Sequence, residues 1–324
     1  MMRVARRHVP ILTTLALVVV TFLAGSIAYT NFASIGVVRN LLVDNAFLAV
    51  AAVGATFVIL SGAIDLSVGS VMAFTSILIA SLIEKQAVHP VVAIAIALVT
   101  GGLFGLCQGV IIDVFRLPPF LVTLAGMFFA RGAAFLIFPQ SVGIKHAFVG
   151  NVLNDQLSFV LPLRERGVSI PVTVDIAILT MAVAAIVLRS TRFGRSVYAV
   201  GDDESSALLM GLNIRATRLG VFTLSGLCSS LAGVVFTLYQ QSGDPAACKG
   251  FELDAIAAVV IGGTLLRGGV GSVLGTGLGV LLLGLIQTII TFQGNLSSWW
   301  TRIVVGLLVL AFVALQGQLS KRDE

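Results

Sequence analysis

Apolar runs long enough to cross a bilayer recur along nearly all of this 324-residue chain. In hydrocarbon every backbone N–H and C=O must pair within its own segment, so each such run has to be a helix. Ten are expected, over 11–29, 43–60, 68–83, 91–112, 119–138, 170–188, 219–238, 253–265, 273–292 and 300–316. The second and third, and the eighth and ninth, are separated only by glycine-rich breaks. These four fall short of a comfortable crossing of about 20 residues and are expected to be broken or re-entrant. The implied fold is all-α and polytopic, with 1–324 forming a single transmembrane domain. Only 11% of the residues are charged, whereas a soluble domain carries about 25%. A soluble enzyme, a nucleic-acid binder and a disordered scaffold are therefore excluded.

Charge orients the bundle. With the N-terminus in the cytoplasm, ten crossings return Lys321 and Arg322 to the same side. Twelve of the 20 Lys and Arg then lie inside, seven outside and Arg131 within a span, as the positive-inside rule requires. The net charge of +5 is read as topology-setting arginine, not as an attraction for an acidic partner. Arg3, Arg6 and Arg7 ahead of the first run, with Ser26-Ile27-Ala28 near its end, give it a likeness to a secretory signal. Its length and the many spans behind it favour an uncleaved first helix. Two loops are long, 139–169 outside and 189–218 inside, and neither has room for a further domain.

No catalytic chemistry is visible. The lysines Lys85, Lys145, Lys249 and Lys321 are not followed by Ser or Thr, so no phosphate-binding loop is present. His8, His89 and His146 stand apart, and Cys107, Cys228 and Cys248 have no metal or redox spacing. No cofactor is implied. Any nucleotide that powers this chain must be hydrolysed by another polypeptide.

Four segments interrupt the apolar pattern. In 61–70, Asp65 is either a helix cap in a cytoplasmic turn or a carboxylate in a broken helix beside a solute path, where a buried charge is costly. In 118–127, Pro118 and Pro119 open a helix, Thr123 and Gly126 share one face, and Arg131 follows two turns later. Arg131 needs an acid or a wet cavity, or else must snorkel, with Asp65 one candidate partner. In 191–211, Asp202 or Asp203 reads as an N-cap, Glu204 suits the positive helix end, and Gly211 suits the stop. The two-turn helix between them offers Ala207, Leu208 and Met210 as an apolar edge. In 251–264, Glu252 and Asp254 open a helix, either as caps or as a docking point for an external partner. A faint echo also links 61–71 with 268–273, through duplicated halves or through chance.

Together the blocks SGAIDLSVGS (61–70), PPFLVTLAGM (118–127), TRFGRSVYAVG (191–201) and ELDAIAAVVIGGT (252–264) resemble the permease family of bacterial ABC importers for ribose, galactose, xylose and related sugars. Within it, GMFFARG (126–132) and LSSWWTR (296–302) look most like a permease of a galactofuranose importer. The resemblance implies a type II-like importer permease in the bacterial inner membrane, with both termini cytoplasmic. It implies a cytoplasmic ABC ATPase, a second permease (homologous or identical), a periplasmic sugar-binding protein and a monosaccharide substrate. The ATPase contact would lie in the loop helix region, from Arg192, Gly194, Gly201, Asp202, Asp203 and Glu204 to Ala207, Leu208, Met210 and Gly211. Asp65, Ser67, Ser70, Thr123 and Arg131 are the translocation candidates, the hydroxyls suiting a neutral sugar. One departure stands out: the family commonly has Gly-Gly-Asn or Gly-Asp-Asn where this chain has Gly201-Asp202-Asp203. The competing class is a gradient-driven secondary transporter that uses Asp65 or Arg131 as its coupled charge.

Overall fold

The structure, a computed structural model, describes residues 2–153, 170–294 and 299–320, with side chains over 11–150, 170–294 and 299–314. Arg3, Arg6, Arg7, Arg164, Arg166, Lys321, Arg322 and the first part of LSSWWTR lie outside the described residues or side chains. The helices are α1 (Met2–Ala28), α2 (Ile35–Asp44), α3 (Ala46–Leu60), α4 (Val68–Gln86), α5 (Pro90–Phe115), α6 (Pro119–Ile137) and α7 (Ala147–Leu153), followed by α8 (Val172–Ser190), α9 (Arg192–Asp202), α10 (Glu204–Leu209), α11 (Ile214–Gln240), α12 (Phe251–Ile261), α13 (Val273–Gln293) and α14 (Trp299–Ser320). Two short strands, β1 (Val142–Gly143) and β2 (Ser242–Gly243), pair antiparallel.

The count of ten crossings is corrected. Among the described residues seven helices are long and apolar enough to span a membrane, and eight if the bent pair α2–α3 is one span. That pair turns by 47° at Asn45. The polar stretch Arg39-Asn40 to Asp44-Asn45 hid α2 from a reading based on apolar runs. The third and ninth helices are full length, at 19 and 21 residues. The eighth is the short one: α12 has 11 residues, a rise of about 16 Å against a hydrocarbon core of about 30 Å.

All 15 residues of α3 are buried. Such a helix is apolar all round and belongs at the centre of a bundle. Its main neighbour is α11, which also packs on α4 and α5. The contact with α5 is very close because Gly101, Gly105 and Gly109 repeat at four-residue spacing. A Cβ at Gly105 would lie 2.1 Å from the Phe222 carbonyl oxygen. Small residues on one face let membrane helices approach backbone to backbone.

The two breaks, 61–67 and 262–272, begin alike. Gly62 N–H donates to Ile59 O and Ala63 N–H to Val58 O; Gly263 N–H donates to Val260 O and Thr264 N–H to Val259 O. Gly62 (φ +80°) and Gly263 (φ +92°) supply the left-handed residue that this type of helix stop needs. The structural equivalence therefore lies in the helix stops. The Val-Gly-Ser-Val match of the sequence echo is out of step with it, since 68–71 opens α4 whereas 270–273 precedes and enters α13.

Candidate functional site

The breaks meet each other and a third element. Gly269 N–H donates to Leu60 O at 3.0 Å, joining one break to the other. Gly201, at the end of α9, is wedged against this joint: a Cβ there would lie 1.8 Å from Leu60 O and 2.7 Å from Gly269 N. No side chain fits, so the backbone of α9 bears directly on both breaks.

The segment 192–202, expected to be loop, is a helix. Thr191 caps it by accepting from Gly194 N–H at 3.0 Å. Gly194 and Val197 face inward while Arg192 and Arg195 are exposed. Gly194 allows the tight corner from α8, since a Cβ would stand 2.4 Å from the carbonyl oxygens of Val187 and Leu188. The expected cap of α10 is Asp203 and not Asp202: its carboxylate accepts from Ser206 N–H. That hydrogen bond holds the Asp203 carboxyl below the usual carboxylate range. Asp202 is exposed and its backbone abuts Gly269. Gly211, at φ +77°, follows the last turn. Within α10 Ala207 is buried and anchors the helix. Leu208, Leu209 and Met210 stand 63%, 89% and 67% exposed. Leu209 was missed by the sequence reading and is the most exposed of the three.

α10 is tied to the bundle by charge. Arg218 on α11 donates to both Glu204 oxygens at 3.0 and 3.1 Å and to Asp113 on α5 at 3.3 Å. Arg215 pairs with the other Asp113 oxygen at 3.1 Å. Between this network and the first break lies a cavity of about 620 Å³, lined in part by Ser61, Gly62, Ala63, Arg116 and Arg218.

The first break holds Asp65, which is 4% exposed. Its Oδ1 accepts from Ser67 N–H at 2.8 Å and Ser67 Oγ–H at 2.6 Å, and its Oδ2 from Ser225 Oγ–H of α11 at 2.6 Å. Both readings of Asp65 thus contain part of the arrangement: it serves the start of α4, and it is buried in a broken helix. Thr123 joins it by donating to Ile64 O at 3.3 Å, which fixes the start of α6 on the break. Ser70 is buried in the first turn of α4.

Arg131 does not partner Asp65; that expectation is corrected. Its guanidinium donates to Pro245 O at 2.8 Å and Ala247 O at 2.6 Å. These carbonyls belong to the non-helical stretch that leads into α12, where no helix supplies their donors, and buried backbone acceptors need one. Glu252 turns inward, with Oε1 accepting from Gly250 N–H at 3.2 Å and Oε2 buried. Asp254 lines an open cavity. Arg131→Met should free the 245–250 stretch. A charge-assisted hydrogen bond contributes about 1.5–3 kcal/mol, so amide exchange there should rise about tenfold or more; unchanged exchange would refute this role.

Comparison with known proteins identifies a transport subunit. The family described as branched-chain amino acid transport system / permease component matches residues 37–313. The chain belongs to this family. The inner membrane ABC transporter permease protein YjfF of Escherichia coli (strain K12) is 46% identical over 316 residues, 97% of this chain and 94% of that protein. The fructose import permease protein FruG of Bifidobacterium longum (strain NCC 2705) is 35% identical, covering 96% of this chain and 91% of that one. The ribose import permease protein RbsC of Escherichia coli (strain K12) is 37% identical, covering 89% and 88%. No solved structure matches. As an ABC transporter permease the chain is a transport subunit and not itself an enzyme.

Proposed function

We propose that this permease is a membrane subunit of an ATP-driven importer of a neutral monosaccharide, galactofuranose or a related pentose or hexose, in the bacterial inner membrane. The observation that carries the mechanism is Gly201 seated on both breaks, with an exposed apolar triplet a few residues away. An ATPase that grips Leu208, Leu209 and Met210 moves α10, and α9 passes the motion to the joint between Leu60 and Gly269. The Glu204–Arg218–Asp113 network carries the same motion into α11 and α5. A periplasmic sugar-binding protein delivers the solute at the opposite end, and a second permease, homologous or identical, completes the passage. The arginine-rich 189–218 segment is read as cytoplasmic, and both termini with it. Sugar is preferred to amino acid because relatives matched over nearly the whole chain are named for fructose and ribose.

The combined substitution Leu208→Asp and Leu209→Asp should remove co-purification of the ATPase and leave the permease in the membrane. Full ATPase stoichiometry in that variant would overturn the assignment. The buried Asp65 also suits an ion-coupled carrier, the competing reading. Uptake by the reconstituted complex that needs ATP and survives collapse of the proton and sodium gradients decides for the importer; the reverse pattern decides for the carrier.

A further inference from the structure

A second cavity, of about 570 Å³, opens at the far end of the bundle from α10. It lies by Tyr239 and Gln240 at the end of α11, whereas Arg218, which grips α10, lies near that helix's start. A 27-residue helix separates its ends by about 40 Å. One wall is aromatic: Phe47 meets Phe236 edge-on at 5.5 Å between ring centroids and Phe251 at 5.3 Å. The other walls carry carboxylates and carboxamides, among them Asp44, Asp254 and Gln287. The Tyr239 hydroxyl donates to Asp44 Oδ1 at 2.9 Å, which orients that carboxylate. Among the described residues, no Lys, Arg or His lines the space.

We infer that this cavity is a low-affinity binding site for a neutral polyhydroxylated ring, and that it rejects the anionic derivatives of the same sugar. A sugar presents hydroxyls on its edge and C–H groups on its face. Planar acceptors such as Asp44 and Asp254 take adjacent hydroxyls, Gln287 both donates and accepts, and an aromatic wall covers the C–H face. Three carboxylates, Asp44, Asp244 and Asp254, line the space, while Arg131 and Arg302, which act on Asp244 and Asp254, stand outside the lining; a uronate or a sugar phosphate therefore meets like charge at short range, an obstacle to the wrong ligand built into the site. The inference rests on the importer reading and adds to it a second filter, within the membrane subunit, on net charge.

The test is saturation-transfer NMR on the full chain in lipid nanodiscs, with D-galactose and D-galacturonate as probes at neutral pH. D-Galactose should give transfer and D-galacturonate at least about tenfold less, because like charges brought together at short range repel strongly. In the double variant Asp44→Asn, Asp254→Asn the ratio of galacturonate to galactose transfer should rise severalfold, through a gain in the galacturonate signal. A misfolded protein cannot produce such a gain. If the double variant loses both signals, Asp254→Asn alone decides: a rise for galacturonate supports the site and an unchanged rejection overturns it. Equal transfer from both probes in the unmodified chain also overturns it. ATP-driven uptake by the complete transporter is measured beside it. Uptake of galactose without saturation transfer removes the cavity and leaves the importer; a gradient-driven uptake removes the importer, while the charge selectivity is still read from the NMR.

Discussion

Gly201→Val is expected to lower ATP-coupled uptake by at least about tenfold without lowering the amount of protein in the membrane. The side chain would have to occupy space in which even a Cβ stands 1.8 Å from Leu60 O and 2.7 Å from Gly269 N. Neither group can rotate away, because both are backbone and are hydrogen bonded to each other. The way out is to lift α9 from the joint, and overpacking of this kind costs about 1–3 kcal/mol or more. Lifting α9 breaks the backbone seat that the α9–α10 arm has on both breaks. ATP hydrolysis should then run without uptake, which an ATPase assay beside a flux assay in proteoliposomes detects. Gly132→Ala is the matched control: nothing lies within 4 Å of its added Cβ, and uptake should not change. Full coupling in Gly201→Val would show that motion reaches the breaks by another route.

The second large effect is expected at Asp65, and in stability before rate. Asp65→Ala leaves the buried Ser67 N–H and Ser225 Oγ–H without their acceptor, and Ser67 Oγ–H with only the long contact to Gln108 Oε1 at 3.4 Å. An orphaned buried donor costs about 1–3 kcal/mol. Partial rotation of the hydroxyls reduces the sum, so a net loss of about 2–4 kcal/mol is expected, seen as a lower melting temperature in detergent. Asp65→Asn keeps the oxygen that accepts from Ser67 and exchanges only the one facing Ser225, whose hydroxyl can turn to accept. Its loss should be smaller. Ser225→Ala should lose less again when Asp65 is already Asn, since hydrogen-bonded neighbours are not additive. Uptake should fall further in Asp65→Asn than in Glu252→Gln, as Asp65 joins two helices across the break while Glu252 closes back on its own turn. Equal melting temperatures for the unmodified chain and Asp65→Ala would remove the network from the account.

Much of this arrangement was legible in residue order. A cap residue acts on its own next turn, so Asp203, Glu204 and Gly211 announced α10 before any packing was known. Gly62 agreed with an expected helix end at 60, whereas the stop at Gly263 was passed over, the eighth helix having been expected to run on to 265 although it ends at Ile261. α9 was not announced, because its helical pattern starts among arginines and is stabilised by what its inward face touches. Gly101, Gly105 and Gly109 did carry a signal, the four-residue spacing, that was passed over.

What the order of residues determined by itself was the solvent and the punctuation. So apolar a chain must satisfy its backbone locally, which makes it helical, and its prolines and glycines mark where helices start and stop. Which groups meet across the bundle was decided only by the tertiary structure. Asp65 took Ser225, 160 positions away, and Arg131 took two carbonyls more than 110 positions away. Nothing in the neighbourhood of either residue names such a partner, because a buried polar group is satisfied by whatever donor or acceptor the packing of whole helices brings within about 3 Å.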